Sequence, residues 1–130
     1  MFKKPLFIAV ATVLFVPALS IAQQSNIKRT PLQTVDFPPG FNSVSAIAEI
    51  PAGACAGRHT HPGIETSYIM DGGGVLKIAG KPDQAVKAGD SFQIPPNAPH
   101  DLCVGSGLGA KVLAVYVVEK GKPLATPAPE

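Results

Sequence analysis

The sequence predicts an all-β fold, a sandwich or barrel of short strands. Three observations carry this reading. The chain holds 13 glycines and 14 prolines in 130 residues, too many for a helical bundle because both penalise helix interiors. Turn-forming clusters recur about every eight to twelve residues between short apolar runs. After residue 22 no segment shows the helical period of about 3.6 residues. The 45% apolar content argues against disorder throughout, and the length suits one domain rather than separate cofactor and substrate domains.

Residues 1–22 are read as a secretory signal peptide. Lys3 and Lys4 form a positive start, Leu6 to Leu19 an apolar run, and Ser20-Ile21-Ala22 a small-residue cleavage site, with cleavage expected after Ala22. The run is broken by Pro17 and is short for a membrane span of about 20 residues, so no stable anchor is expected. The expected location is periplasmic or secreted. Removal takes away two of the 11 basic residues and none of the nine acidic ones, so the formal charge falls from +2 to zero. That balance, without a Lys/Arg cluster, gives no basis for nucleic-acid binding.

Along the mature chain, residues 23–30 are polar and read as a flexible segment. Val44 to Ile50 alternates apolar and polar residues, imperfectly because of Ile47, as in a half-buried strand, and is stopped by Pro51. Ile64 to Met70 is a second strand, and Asp71-Gly72-Gly73-Gly74 after it signals a hairpin into Val75–Ala79. Gln84–Val86 and Ser91–Ile94 follow, separated by Lys87-Ala88-Gly89-Asp90 and halted by Pro95-Pro96. Val112 to Val118 is apolar on both faces, either a central strand or one covered by another subunit. The Pro-rich tail, residues 120–130, is expected to lie along the surface.

All three histidines fall in two short segments. His59 and His61, two apart, share a strand face, and the Pro62-Gly63 turn brings Glu65 back toward them. His100 comes from a distant segment. Three imidazoles and a carboxylate suit a divalent transition metal: iron, manganese, nickel, copper or zinc.

These residues sit in a recognisable pattern. Gly53, His59, His61, Glu65 and Gly72 match G-x5-H-x-H-x3/4-E-x6-G, and Gly89, Pro95 and His100 match G-x5-P-x-G-x2-H-x3-N. The sequence thus resembles the cupin superfamily, in its small single-domain bacterial form. Asn97 stands where glycine is usual, a mild change because Asn tolerates left-handed backbone; Val104 stands where asparagine is usual. The resemblance spans about Pro31 to Val118 and implies a double-stranded β-helix, the jelly-roll barrel, over residues 31–119. It implies His59, His61, Glu65 and His100 as ligands to one metal ion.

The resemblance also implies a small-molecule ligand or substrate. The activity it suggests is a metal-dependent oxidoreductase, dioxygenase-like, or an isomerase, on a small oxygenated compound. The alternative is a non-catalytic cupin that holds metal and ligand without turnover. No residue stands out as a catalytic acid or base. Arg58 reads as a surface residue, Tyr68, Phe92 and Ile94 as core, and Asp101 as exposed. Pairing of small cupins through their sheets, with the Val112–Val118 run, predicts a homodimer. Cys55 and Cys103 would form a disulfide in an exported protein, but their opposite parities relative to the histidines require a bulge, with Gly57 the candidate. Without the bulge, a buried thiol results.

Overall fold

The computed structural model describes residues 27–130, so the expected signal peptide, residues 1–22, and the first residues of the segment expected to be flexible lie outside the described part. Nine strands and no helix make up those residues: β1 (Lys28–Val35), β2 (Phe41–Ile50), β3 (His59–Thr60), β4 (Gly63–Ile78), β5 (Gln84–Lys87), β6 (Ser91–Ile94), β7 (His100–Cys103), β8 (Ala110–Glu119) and β9 (Thr126–Pro127). The strand order is β1-β2-β8-β4-β7-β3-β9, with β5 and β6 also on β4. All pairings are antiparallel.

β4 belongs to both halves of this curled sheet. Its first part, Gly63–Gly72, pairs with β8, and its last part, Val75–Ile78, pairs with β7. The hairpin expected at Asp71-Gly72-Gly73-Gly74 is therefore absent: one strand runs through it. The glycines serve close approach instead of reversal. A Cβ on Gly72 would lie 1.8 Å from the Gly109 carbonyl oxygen, and one on Gly73 2.3 Å from that of Val86. Only residues without a Cβ let neighbouring main chains pack so closely where the strand passes between the sheets.

Gly63 to Met70 alternates buried and exposed without a fault, and this directs Glu65, Ser67 and Ile69 inward. Tyr68, read as core, is instead 48% exposed on the outer face. Val112–Val118 falls within β8, which lies between β2 and β4 as a central strand. Its inward residues Val112, Ala114 and Val118 are buried. Ile50, Ile69, Leu76, Val86, Ile94, Leu102 and Val112 pack in one core drawn from both halves of the sheet. Phe92 packs against that core, as expected of it.

Two segments read as loose or superficial carry strands. Lys28–Thr30, assigned to the flexible segment, opens β1 and pairs with Ile47–Glu49. The Pro-rich tail lies at the surface but adds β9, which pairs Pro127 with His59 and Thr126 with Thr60. Neither has the alternation of a core strand, so main-chain hydrogen bonding rather than apolar pattern places them.

Candidate metal centre

His59, His61, Glu65 and His100 come together. His59 and His100 are register partners across β3 and β7, so both imidazoles project to the same side of that pair. His61 follows β3, and Glu65 is the second inward residue of β4. His61 is 3% exposed, Glu65 6% and His100 3%. His61 Nε2 lies 3.0 Å and His100 Nε2 3.2 Å from Glu65 Oε2, while His59 and His61 meet Nε2 to Nε2 at 3.1 Å.

The proton positions follow from the other side of each ring. Nδ1 of His59 faces the Gly57 carbonyl at 2.5 Å, that of His61 the Leu124 carbonyl at 2.6 Å, and that of His100 the Ala98 carbonyl at 2.9 Å. A carbonyl oxygen only accepts, so Nδ1 donates and, in the neutral ring, Nε2 presents its lone pair inward. Ser67 donates to Glu65 Oε1 at 2.6 Å, which leaves Oε2 facing the histidines. Four electron-pair donors thus converge on one point. Neighbouring ligand atoms on an ion with bonds of about 2.1 Å sit about 3 Å apart, so the spacing fits a single divalent ion.

Burial lowers the pKa of His59 to about 4, helped by the neighbouring His100 and His61 and opposed by the Gly57 carbonyl and Glu65. Burial opposes ionisation of Glu65, but His100 and His61, which donate to it when protonated, and the Ser67 hydroxyl outweigh burial and hold the carboxyl well below the usual range. Neutral imidazole and ionised carboxylate are the forms that ligate metal.

Above the four residues lies a cavity of about 170 Å³ with mainly apolar walls, among them Val44, Ala46, Leu76, Val112 and Ala114. Three of its features escaped the sequence reading. Tyr116 lies opposite Glu65 in the β4–β8 register, and its ring centre is 4.7 Å from that of His61. Burial and the Glu65 charge raise its hydroxyl pKa, so it stays a proton-bearing donor. A polar tip in the inward parity of an otherwise apolar strand was the available signal. Arg29 on β1 also lines the cavity. The Leu124 carbonyl had no signal, since every residue carries one.

Cys55 and Cys103 form a disulfide, against the thiol alternative. His59 pairs with His100 and Cys55 with Cys103, so four residues on one side match three on the other. The extra residue is absorbed where Gly57 adopts φ +87°, a left-handed conformation that suits glycine. With the parity reset, both sulfurs lie on the outer side, away from the imidazoles. Asp101 lies near them, and being bridged they offer no thiolate to a metal. Asn97 adopts φ 59°, the left-handed conformation expected of it.

Residues 46–116 match the family model of the cupin domain. The chain belongs to the cupin family. Solved cupin structures share its fold. A cupin-like protein from Thermotoga maritima matches at 24% identity and TM-score 0.63, over 78% of this chain and 75% of that one. An oxalate oxidase in complex with glycolate matches at 20% identity and TM-score 0.63, over 82% of this cupin and 57% of the oxidase. The DMSP lyase DddQ from Ruegeria pomeroyi matches at 20% identity and TM-score 0.61, over 66% of this cupin. The cupin spans 43% of that lyase's length. A search of curated proteins by sequence found no match.

Proposed function

We propose that this cupin binds one divalent transition metal through His59, His61, Glu65 and His100 and acts as a metal-dependent oxidoreductase, dioxygenase-like, on a small oxygenated compound. The observation that carries the metal reading is the convergence of three Nε2 lone pairs and a buried carboxylate with no proton donor among them. Such a group is electrostatically unfavourable by itself, and a cation in its midst relieves it. A bound metal of this class supplies Lewis acidity and, for a redox-active ion, electron transfer.

The chain's own residues do the rest. The carbonyls of Gly57, Leu124 and Ala98 orient the three rings, and Ser67 fixes the carboxylate. The apolar walls keep water from a bound compound, and the Tyr116 hydroxyl offers it a proton donor. A non-catalytic metal- and ligand-binding cupin is the second reading. The observation that favours it is that Tyr116, held firmly protonated, is a poor base.

The deciding experiment is elemental analysis of untagged protein from its native host, beside Glu65→Gln and His100→Ala, followed by oxygen uptake with small carboxylates and phenols. An empty wild type overturns the metal reading. Full metal occupancy without turnover leaves the binding module.

The same proposal places the mature protein outside the cytoplasm, in the periplasm or medium, and the disulfide supports an oxidising compartment. N-terminal sequencing that returns Met1 would refute it. A homodimer is proposed across the outer face of β4 and β8, where Ile64, Tyr68, Met70 and Val115 are exposed side by side. Light scattering at micromolar concentration checks it.

A further inference from the structure

Among the described residues that line the cavity above the four ligand candidates, Arg29 is the only lysine or arginine. Its placement follows from β1. Arg29 pairs with Ala48, whose side chain packs on the core, and though exposed on β1 it reaches the lining of the cavity. Lys28 has a partner, Glu49 at 3.3 Å. Arg29 has no carboxylate within ion-pair distance among the described residues. Its one hydrogen-bond contact there is with the Ala56 carbonyl at 3.4 Å, long for such a bond. The guanidinium thus keeps most of its five N–H donors free of protein partners at the solvent-open side of the cavity.

The charge balance points the same way. Three neutral imidazoles and one carboxylate around a divalent ion leave one net positive charge, and Arg29 adds a second. Weakly polarisable walls such as Val44, Ala46 and Ala114 concentrate that field on whatever enters. Apart from the Tyr116 hydroxyl the remaining side chains of the lining are apolar, and a cavity of about 170 Å³ is close in size to one that admits benzene, about 150 Å³.

We propose that Arg29 anchors the carboxylate of the cavity's ligand, which makes that ligand a small carboxylate with an apolar body about the size of a benzene ring. The inference deepens the reading that the cavity takes a small oxygenated compound and names its class. The guanidinium fork holds the carboxylate at the mouth by paired charge-assisted hydrogen bonds, and the apolar body lies against the β2 and β8 walls. Neutral compounds of the same shape lose this anchor.

The test is isothermal titration of benzoate, and of benzamide as its uncharged counterpart, into the full chain. Wild type, Arg29→Gln and Arg29→Lys are compared, each metal-loaded and after chelator treatment. Benzoate affinity is expected to fall about 10- to 100-fold in Arg29→Gln in both metal states, the range of a lost charge-assisted pair. Arg29→Lys, which keeps the charge and loses the fork, is expected to fall less, and benzamide binding to stay unchanged. Thermal melts separate loss of the anchor from loss of the fold, and Arg29→Met, which keeps most of the aliphatic stem, replaces a Gln variant that melts early. Equal benzoate affinity in wild type and Arg29→Gln overturns the proposal, as does wild type that binds no benzoate at millimolar concentration. Affinity lost on chelation yet insensitive to Arg29 places the carboxylate at the metal and also overturns it. Arg29-dependent binding by a protein that takes up no metal sustains this inference and overturns the metal reading instead.

Discussion

Shortening the C-terminal tail tests whether a surface segment governs the candidate metal centre. A chain ending at Gly121 lacks the Leu124 carbonyl that accepts from His61 Nδ1 at 2.6 Å. It also lacks β9, which pairs with His59 and Thr60, and the Arg58 Nε donation to the Pro129 carbonyl at 2.8 Å. None of the buried core residues lies beyond Val118, so the barrel is expected to survive. What changes is the freedom of two imidazoles. Loss of a hydrogen bond that orients a ligating histidine weakens metal binding about 10- to 100-fold, or about 1.4–2.7 kcal/mol. A chain ending at Ala125 keeps the Leu124 carbonyl and loses the β9 pairing, and so separates the two effects. Competitive metal titration of the three chains is the assay, with circular dichroism to confirm the fold. A chain ending at Gly121 that binds metal within twofold of the full chain refutes the argument.

Three further outcomes are expected. Cys55→Ser with Cys103→Ser opens a loop with a sequence separation of 48 and is expected to cost up to about 4 kcal/mol in denaturant unfolding, without loss of metal binding. Gly72→Ala forces a Cβ to 1.8 Å from the Gly109 oxygen at φ +71° and is expected to cost about 3 kcal/mol or to block folding, read from expression and thermal melts. Metal-free protein is expected to lose stability steadily as pH falls from 6.5 toward about 4. The folded pKa of His59 lies below its ordinary 6.5, so its contribution is full above 6.5 and disappears on acidification. The lowered Glu65 acts in the same sense at lower pH, and a melting temperature that rises over this window would contradict both.

Much of the site was legible because parity is local. His59 and His61, and the buried alternation from Gly63 through Ile69, are set by neighbours along one strand. Ser91–Ile94 emerged as a strand with those bounds. The disulfide stayed open for the complementary reason: one inserted residue at Gly57, the bulge candidate, inverts parity, and a glycine's spacing does not reveal its φ. Asp71-Gly72-Gly73-Gly74 failed similarly, because the residues that turn a chain are also those that let two backbones touch.

By itself, then, the sequence determined the all-β class and the four donor side chains. Those are properties of residue type and of spacing within a strand or two. Only the tertiary structure decided that β4 passes through both halves of the sheet, that Leu124 orients His61, and that Arg29 and Tyr116 share the cavity with the histidines. Each depends on the register of segments far apart in the chain. Register is set when the two halves of the sheet close around a common core, and no local pattern encodes it.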